Sequence, residues 1–342
     1  MIDVRQQVDL APWNSFHLAE TAEYFCQVET TAQLRECLTL AERNGWPLQI
    51  IGGGSNLLLA GPLSGLLVVI RSRGRRVLQR DPDSLLVEVE AGENWHQLVN
   101  WTLDLGLSGL ENLALIPGTA GAAPVQNIGA YGVELADCFD SLDALDRQTG
   151  ECLHLTREDC RFAYRDSLFK QQAGRWLILR IRLRLSRRPL HRIDYAPLRQ
   201  AWEATGVKRP DPRLLAELVC AIRRSKLPDP DVLGNAGSFF KNPLVAADQA
   251  LALAEQYPQL PQYPQSGGQY KLAAGWLIEQ AGWKGRRLGP VGVHSEQALV
   301  LVNHGGARGR DVLVLADAVA ADVQARFGVA LEREPVLLGQ VG

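Results

Sequence analysis

Apolar positions along the chain repeat with two periods, and the boundaries between the periods fall at glycine, proline and capping residues. Thr30 and Gln33 have capping-box spacing; Leu34, Leu38 and Ala41 follow at helical intervals and Gly45 ends the run, so a helix is expected. Two short apolar runs, "PLQII" and "NLLLA", flank Gly52-Gly53-Gly54-Ser55. "SLLVEVEAG" (84–92) alternates as a strand does, and "ENWHQLVNWTLDLG" (93–106) reads as an amphipathic helix closed by Gly106. Strand-like runs dominate from about 141 to 190. Among them, "LILRIRLRL" alternates Arg180, Arg182 and Arg184 with apolar residues, the mark of a half-exposed strand. A helix is expected over 211–226, with Leu214, Leu215, Leu218, Val219 and Ile222 on one face, and another over 311–328, followed by a terminal strand in "VALEREPVLLG". The stretch 254–270, rich in Pro, Gln and Tyr, reads as a loop. Strands and helices mix without strict alternation and no repeat is visible, so the fold class expected is α+β.

Bulk properties narrow the function classes. A chain of 342 residues exceeds one ordinary core, and about two or three domains are expected. Hydrophobic residues at 46% and charged residues at 22% describe a globular protein. A net charge of −2 argues against nucleic-acid binding, which needs a basic surface, so "RSRGRR" (71–76) is read as a solvated edge. The opening "MIDVRQQVDLAPWN" has no apolar signal core, and no run approaches the ~18 apolar residues of a membrane helix. Cys26, Cys37, Cys138, Cys152, Cys160 and Cys220 form no CxxC pair and read as reduced thiols, hence a cytoplasmic protein; the histidines have no metal-ligand spacing, so no metal is expected.

Two glycine-rich stretches and one serine carry the candidate chemistry. "IIGGGSNLLLA" places bare backbone, Ser55 and Asn56 where an anion could be cradled. It leads into a second strand, not a helix, and lacks the acid of a dinucleotide fingerprint and the lysine of a P-loop. A tight structural turn is the plain alternative. The stretch 109–132 holds Gly109, Gly118, Gly121, Gly129 and Gly132 among alanines, with Gln126 and Asn127 able to offer donors and acceptors; it suits a long, flat polar cofactor, or else an irregular loop. In "VLGNAGSFFKNP" (232–243), Gly234 and Gly237 precede Ser238 and a pair of phenylalanines; taken alone, this is a loop entering a buried strand.

"GGGSNLL", "LENLALIPGTAGAAPVQNIGAYGVEL", "CRFAYRDSLFK", "SKLPDPDVLGNAGSFFKNP", "KLAAGWLIEQAG", "VHSEQALVLVN" and "LEREPVLLG" occur in that order from residue 52 to 339. Together they resemble the UDP-N-acetylenolpyruvoylglucosamine reductase family over nearly the whole chain. The resemblance implies a vanillyl-alcohol-oxidase-type flavin fold plus a smaller α+β substrate-binding domain, divided as 1–72 with 328–342, 73–227, and 228–327. It implies non-covalent FAD, NADPH as co-substrate using the same cleft in turn, and a monomer that makes UDP-N-acetylmuramate for peptidoglycan. It also implies the long subtype, with a tyrosine-bearing substrate loop placed at "RIDYAPL".

In such a reaction hydride reaches C3 of an enolpyruvyl ether, charge spreads from C2 into the conjugated carboxylate, and an acid protonates C2. By resemblance, Arg165 stabilises that charge, Ser238 donates the proton, and Glu334 assists in a protonated state; Lys226 or Lys241 would steady the alkoxide. An ion pair with Asp166 or a neighbouring acid is the ordinary alternative for Arg165, and by alternation Glu332 and Glu334 share a face. Substrate contacts carry over to Tyr195, Arg223, Lys226, Asn242, Tyr263 and Gln297. Cofactor contacts carry over to Gly52, Gly53, Gly54, Ser55, Asn56, Pro117, Gly118, Gly121, Ala122, Gln126, Asn127, Gly129, Ala130, Tyr131 and Gly132. Two other readings stay open: a sugar or alcohol oxidase of the same fold, and a nucleotide-binding protein without turnover.

Overall fold

The computed structural model describes residues 2–339, which group into two compact units. The first comprises residues 2–8, 22–53 and 64–225; the second comprises 9–21, 54–63 and 226–339.

In the first unit the helix Thr31–Asn44 forms as its signals dictate. Thr30 and Gln33 complete the capping box, and Gly45 at φ +65° ends the helix in the left-handed region that glycine adopts without strain. Its Leu34, Cys37 and Ala41 pack on Cys26, Val28, Leu66 and Val68 of a four-stranded sheet ordered Val4–Asp9, Thr21–Val28, Leu63–Ile70, Leu48–Ile51. An antiparallel five-stranded sheet follows, ordered Cys152–Thr156, Phe139–Asp146, Trp176–Ser186, Ser84–Glu90, Arg75–Arg80. Its inner face meets the helices Trp95–Asp104 and Pro212–Lys226, where Val87, Val89, Leu142, Ile181 and Leu183 bury against Trp95, Leu98, Val99, Leu215 and Val219. The first domain boundary drawn from the sequence, 72/73, falls between the two sheets.

Alternation in "LILRIRLRL" is borne out: Ile181, Leu183 and Leu185 are buried while the arginines stand on the opposite face. There they bind across both neighbouring strands. Arg182 lies 2.7 Å from Glu88 on one side and 2.8 Å from Asp143 on the other. Glu88 is only 4% exposed, so its charge depends on Arg182 and on Arg76.

The second unit holds a sheet ordered Gly234–Ser238, Val300–Asn303, Val291–Val293, Arg287–Leu288, and a smaller one ordered Leu244–Ala246, Gln269–Leu272, Gln262–Pro264. The helices Ala247–Gln256, Ala274–Gln280 and Gly309–Phe327 belong to it as well. The stretch 254–270 is therefore not one loop: Tyr263 pairs with Lys271 and Pro264 with Tyr270 in an antiparallel ladder. Pro264 is tolerated because its strand is an edge. The terminal strand is shorter than expected, Val336–Leu338, and pairs in parallel with Leu57–Leu59. All six cysteines are free thiols, and no helix among the described residues is long and apolar enough to cross a membrane.

Two outcomes follow from the arginine rows. Replacing Arg182 with Leu leaves the buried Glu88 carboxylate with Arg76 alone and removes the partner of Asp143, and should lower unfolding free energy by about 3 kcal/mol in urea titration, whereas Arg76→Ala, at an exposed position, should cost under about 1 kcal/mol. The Arg182 hydrogen bond, then His154, holds the Asp143 carboxyl below its usual range. A depressed folded pKa adds stability above the unfolded value that is lost on acidification. Asp143→Asn should therefore be less stable than the parent at neutral pH, with the gap closing below about pH 4.

Candidate active site

In the first unit the glycine loop meets the stretch 117–122 backbone to backbone. A β-carbon on Gly52 would sit 2.3 Å from the Thr119 hydroxyl, and one on Gly53 would sit 2.9 Å from the α-carbon of Gly118. Ala122 lies beside Gly52 and Gly121 abuts Ala91, where a β-carbon would come within 2.5 Å. The glycines are thus required first by the approach of two chain segments, a reason the sequence pattern did not reveal. Gly54, in the second unit, has φ +66° and faces the Trp13 carbonyl so closely that a β-carbon would lie 2.0 Å from it. Among the described residues, the N–H groups of Gly52, Gly53 and Gly118 donate to no protein acceptor. A side-chain-poor surface with open backbone donors fits the diphosphate of a dinucleotide cofactor.

Beyond Ala122 the chain makes a short turn, Ala123–Gln126, and reaches Asn127 at φ +44°. Asn127, expected along the cofactor, turns its side chain inward. The residue is fully buried; its amide donates to Glu134 (2.7 Å) and to the Ala163 carbonyl (3.2 Å), and its oxygen accepts from Ala136 N–H (3.0 Å). These bonds set the hairpin Gly129–Ala130 to Val133–Glu134, whose two-residue turn places Tyr131 and Gly132 at φ +51° and +80°. Both central residues are left-handed, as a hairpin turn matched to strand twist requires.

That hairpin collects the cationic side of the site. Arg165, itself at φ +54°, donates through Nη2 to the Gly129 carbonyl at 2.7 Å. A β-carbon on residue 129 would meet Nη1 at 2.9 Å, so glycine there makes room for the guanidinium. Asp166, considered as an ion-pair partner for Arg165, accepts instead from Gln171 at 2.8 Å. Tyr131 meets Tyr195 edge to face at 5.3 Å between centroids and lies beside Arg223. Burial pushes the Tyr131 hydroxyl up, against the pull of the Arg223 charge; burial likewise lowers Arg223, and Arg165 adds to that fall. Arg223 Nε is buried and finds no protein partner among the described residues, a donor left open for a ligand. Tyr195 is 45% exposed and sits at the start of the helix Ala196–Ala204, a place open enough for a substrate-side contact.

In the second unit Ser238 ends the strand Gly234–Ser238, so the strand reading of this stretch holds in part. The ladder is irregular between Asn235 and Ser238, with Gly237 at φ +71° and its N–H held by the Asn235 side chain at 2.9 Å. The Ser238 hydroxyl makes no hydrogen bond to any described residue, so it does not serve a backbone group. Phe239 and Phe240 behind it are buried. Phe239 accepts the Glu334 N–H at 2.8 Å, and Lys241 N–H donates to the Glu332 carbonyl at 2.9 Å. The backbone thus delivers Glu334 beside Ser238. Glu332, which alternation leaves equivalent, is exposed and bound to Lys241. Lys241 is correspondingly engaged and is not a free cation for an alkoxide.

Asn242 and Gln297 join the same neighbourhood. Asn242 accepts the Ala274 N–H at 3.0 Å, Gln297 accepts the Leu299 N–H at 3.3 Å, and the Leu299 carbonyl accepts from Phe239. No hydrogen bond among the described residues brings Tyr263 or Lys226 to them; Tyr263 is 49% exposed and Lys226 ends the helix Pro212–Lys226 on the surface. Thr119 and His96, which shape the 115–122 stretch, were not among the candidates, and no spacing signal marks them.

Residues 22–156 match the family model described as "FAD binding domain". The chain is an FAD-dependent oxidoreductase of α+β fold. Residues 229–338 match the model of the C-terminal domain of UDP-N-acetylenolpyruvoylglucosamine reductase. The reductase of that name from Pseudomonas aeruginosa is 56% identical over 98% of this chain and 99% of its own length; that from Azoarcus sp. is 51% identical over 98% of each. The chain belongs to the UDP-N-acetylenolpyruvoylglucosamine reductase family. The crystal structure of such a reductase from Thermus caldophilus, 23% identical, superposes with a TM-score of 0.69 over 99% of this chain and 100% of that one, which bears out the fold.

Gly53→Ala tests the approach of the two segments. The added methyl must displace Gly118, and retention of FAD on dialysis should weaken at least about tenfold while far-ultraviolet circular dichroism stays that of the parent.

Proposed function

We propose that this protein reduces UDP-N-acetylglucosamine enolpyruvate to UDP-N-acetylmuramate, a peptidoglycan precursor, with NADPH as reductant, acting as a cytoplasmic monomer. FAD, held along the 52–56 and 117–122 backbone, would supply the redox chemistry that links NADPH to hydride addition at C3 of the enolpyruvyl group. The chain's own residues then have two tasks. Charge that develops at C2 and spreads into the carboxylate must be stabilised, and C2 must receive a proton.

Arg165 takes the first task, because a guanidinium fork binds a carboxylate through two parallel hydrogen bonds and stays charged at any working pH. Ser238 takes the second. The observation that carries this reading is its setting: an uncommitted hydroxyl on a glycine-bent strand end, walled by Phe239 and Phe240, with Glu334 tied to the next residue's carbonyl. A carboxylate there would oppose an anionic transition state, so Glu334 is assigned its role in the protonated form. Arg223 and Lys226 are assigned to the diphosphate of the UDP-sugar, Tyr195 to a lid contact with it, and Asn242, Gln297 and Tyr263 to the sugar and uridine. The flavin diphosphate is assigned to the 52–56 and 117–122 backbone, with 126–132 along its length. The division into 1–72 with 328–342, 73–227 and 228–327 is part of the same proposal.

The experiment is anaerobic. NADPH should bleach the protein's flavin, and UDP-N-acetylglucosamine enolpyruvate should restore the colour. Flavin that bleaches and recovers only on admitting air would favour an oxidase. Ser238→Ala should keep flavin reduction by NADPH within about threefold and lose at least about a thousandfold in reoxidation by substrate. Equal loss in both half-reactions would assign Ser238 to structure.

A further inference from the structure

The segment 91–96 is laced to 113–121 along an antiparallel seam. Gly121 N–H donates to Ala91 O at 2.8 Å, Ala120 N–H to Glu93 O at 2.8 Å, and Trp95 N–H to Gly118 O at 3.1 Å, with a bridge between Asn94 and Thr119. The buried Trp95 indole donates to the Leu113 carbonyl at 3.0 Å. One tie in this seam differs in kind. Leu115 N–H donates to Nδ1 of His96 at 3.1 Å, and Leu115 is a branched residue at φ +59°.

A peptide N–H can only donate, so His96 Nδ1 must be unprotonated and the ring neutral, with its hydrogen on Nε2. The Nε2 side faces the Asn100 side chain at 3.5 Å, which presents its oxygen there when the amide is turned. The charged groups that bear on the ring are Arg224 and Arg223 of the helix Pro212–Lys226, and both repel a second proton. Burial, the largest influence, acts in the same direction. Every influence on the ring keeps it the acceptor that a left-handed Leu115 needs.

We propose that His96 is a positioning residue for cofactor binding: its neutral imidazole pins Leu115 N–H and so sets the backbone path into Pro117–Ala122, and protonation of the ring releases that path. The proposal rests on the reading that 117–122 carries the flavin diphosphate. Because the folded pKa lies below the ordinary value, the flavin-bound form holds fewer protons than the form with a free ring. Affinity for FAD is then complete above about pH 6.5 and falls as pH drops below it.

The test uses the full chain with FAD and two variants. Asn places an amide oxygen near the Nδ1 position; Phe keeps the ring and removes the acceptor. His96→Phe should raise hydrogen exchange at the Leu115 amide and weaken FAD binding at pH 7.5, each by at least about tenfold, while His96→Asn stays within about threefold of the parent on both. Acidification to about pH 5.5 should weaken FAD binding in the parent with uptake of a proton, and His96→Asn should lose that dependence. Unchanged Leu115 exchange in His96→Phe overturns the proposal, as does His96→Asn failing as badly as His96→Phe. Faster Leu115 exchange with unaltered FAD affinity would leave the pin standing and overturn the flavin reading of 117–122.

Discussion

There is no room for a methyl group between Gly53 and Gly118, and the candidate site depends on that. A β-carbon on the first would stand 2.9 Å from the α-carbon of the second. The contact brings two segments together with backbone, not side chains, facing outward from the junction. Once the segments touch, neither can fold into a ladder with the other without losing its open donors, and the seam from 91–96 has to hold the second one in place. Loop conformation here is set by its neighbours far more than by local preference, as Leu115, Asn127, Tyr131 and Arg165 in left-handed backbone attest.

The remaining chemistry is divided between two scaffolds with different logic. In the first unit an inward-facing Asn127 shapes a hairpin whose tip residue lies beside Arg223 and whose Gly129 carbonyl accepts from Arg165. In the second unit a bent strand end and an extended segment near the C-terminus are joined by main-chain hydrogen bonds, and the paired Lys241 and Glu332 remove one another from contention. One acid is neutralised by an ion pair while the other is held half-buried beside a hydroxyl. Position in the ladder gives two similar glutamates different surroundings.

Much of this was legible along the chain. The capping box at Thr30, the alternating arginines of the long strand and the refusal of the glycine loop to lead into a helix all follow from local periodicity and backbone sterics. Contacts between distant residues were not legible. Thr119 is the neighbour that forces glycine at 52, and 67 positions separate them (119 − 52). Asn127 looked like an outward polar group because composition cannot tell which way an amide points. Pro264 punctuated what turned out to be an edge strand, since a proline there gives up no ladder bond that a partner needed. Glu332 and Glu334 were indistinguishable by alternation because what separates them is Lys241, a residue reached only through tertiary pairing.

The parallel pairing of Val336–Leu338 with Leu57–Leu59 has a consequence for the chain as it leaves the ribosome. The first partner is made 279 residues before the second (336 − 57). At ordinary rates of synthesis that is roughly 15 to 55 s of waiting. Through that interval Phe16, Leu18, Leu58 and Leu59, buried in the finished molecule, belong to a unit most of which has not yet been made. The nascent protein therefore carries exposed apolar segments for most of its synthesis: Phe16 waits for Phe239 and Asn303, and Leu57–Leu59 waits for Val336–Leu338.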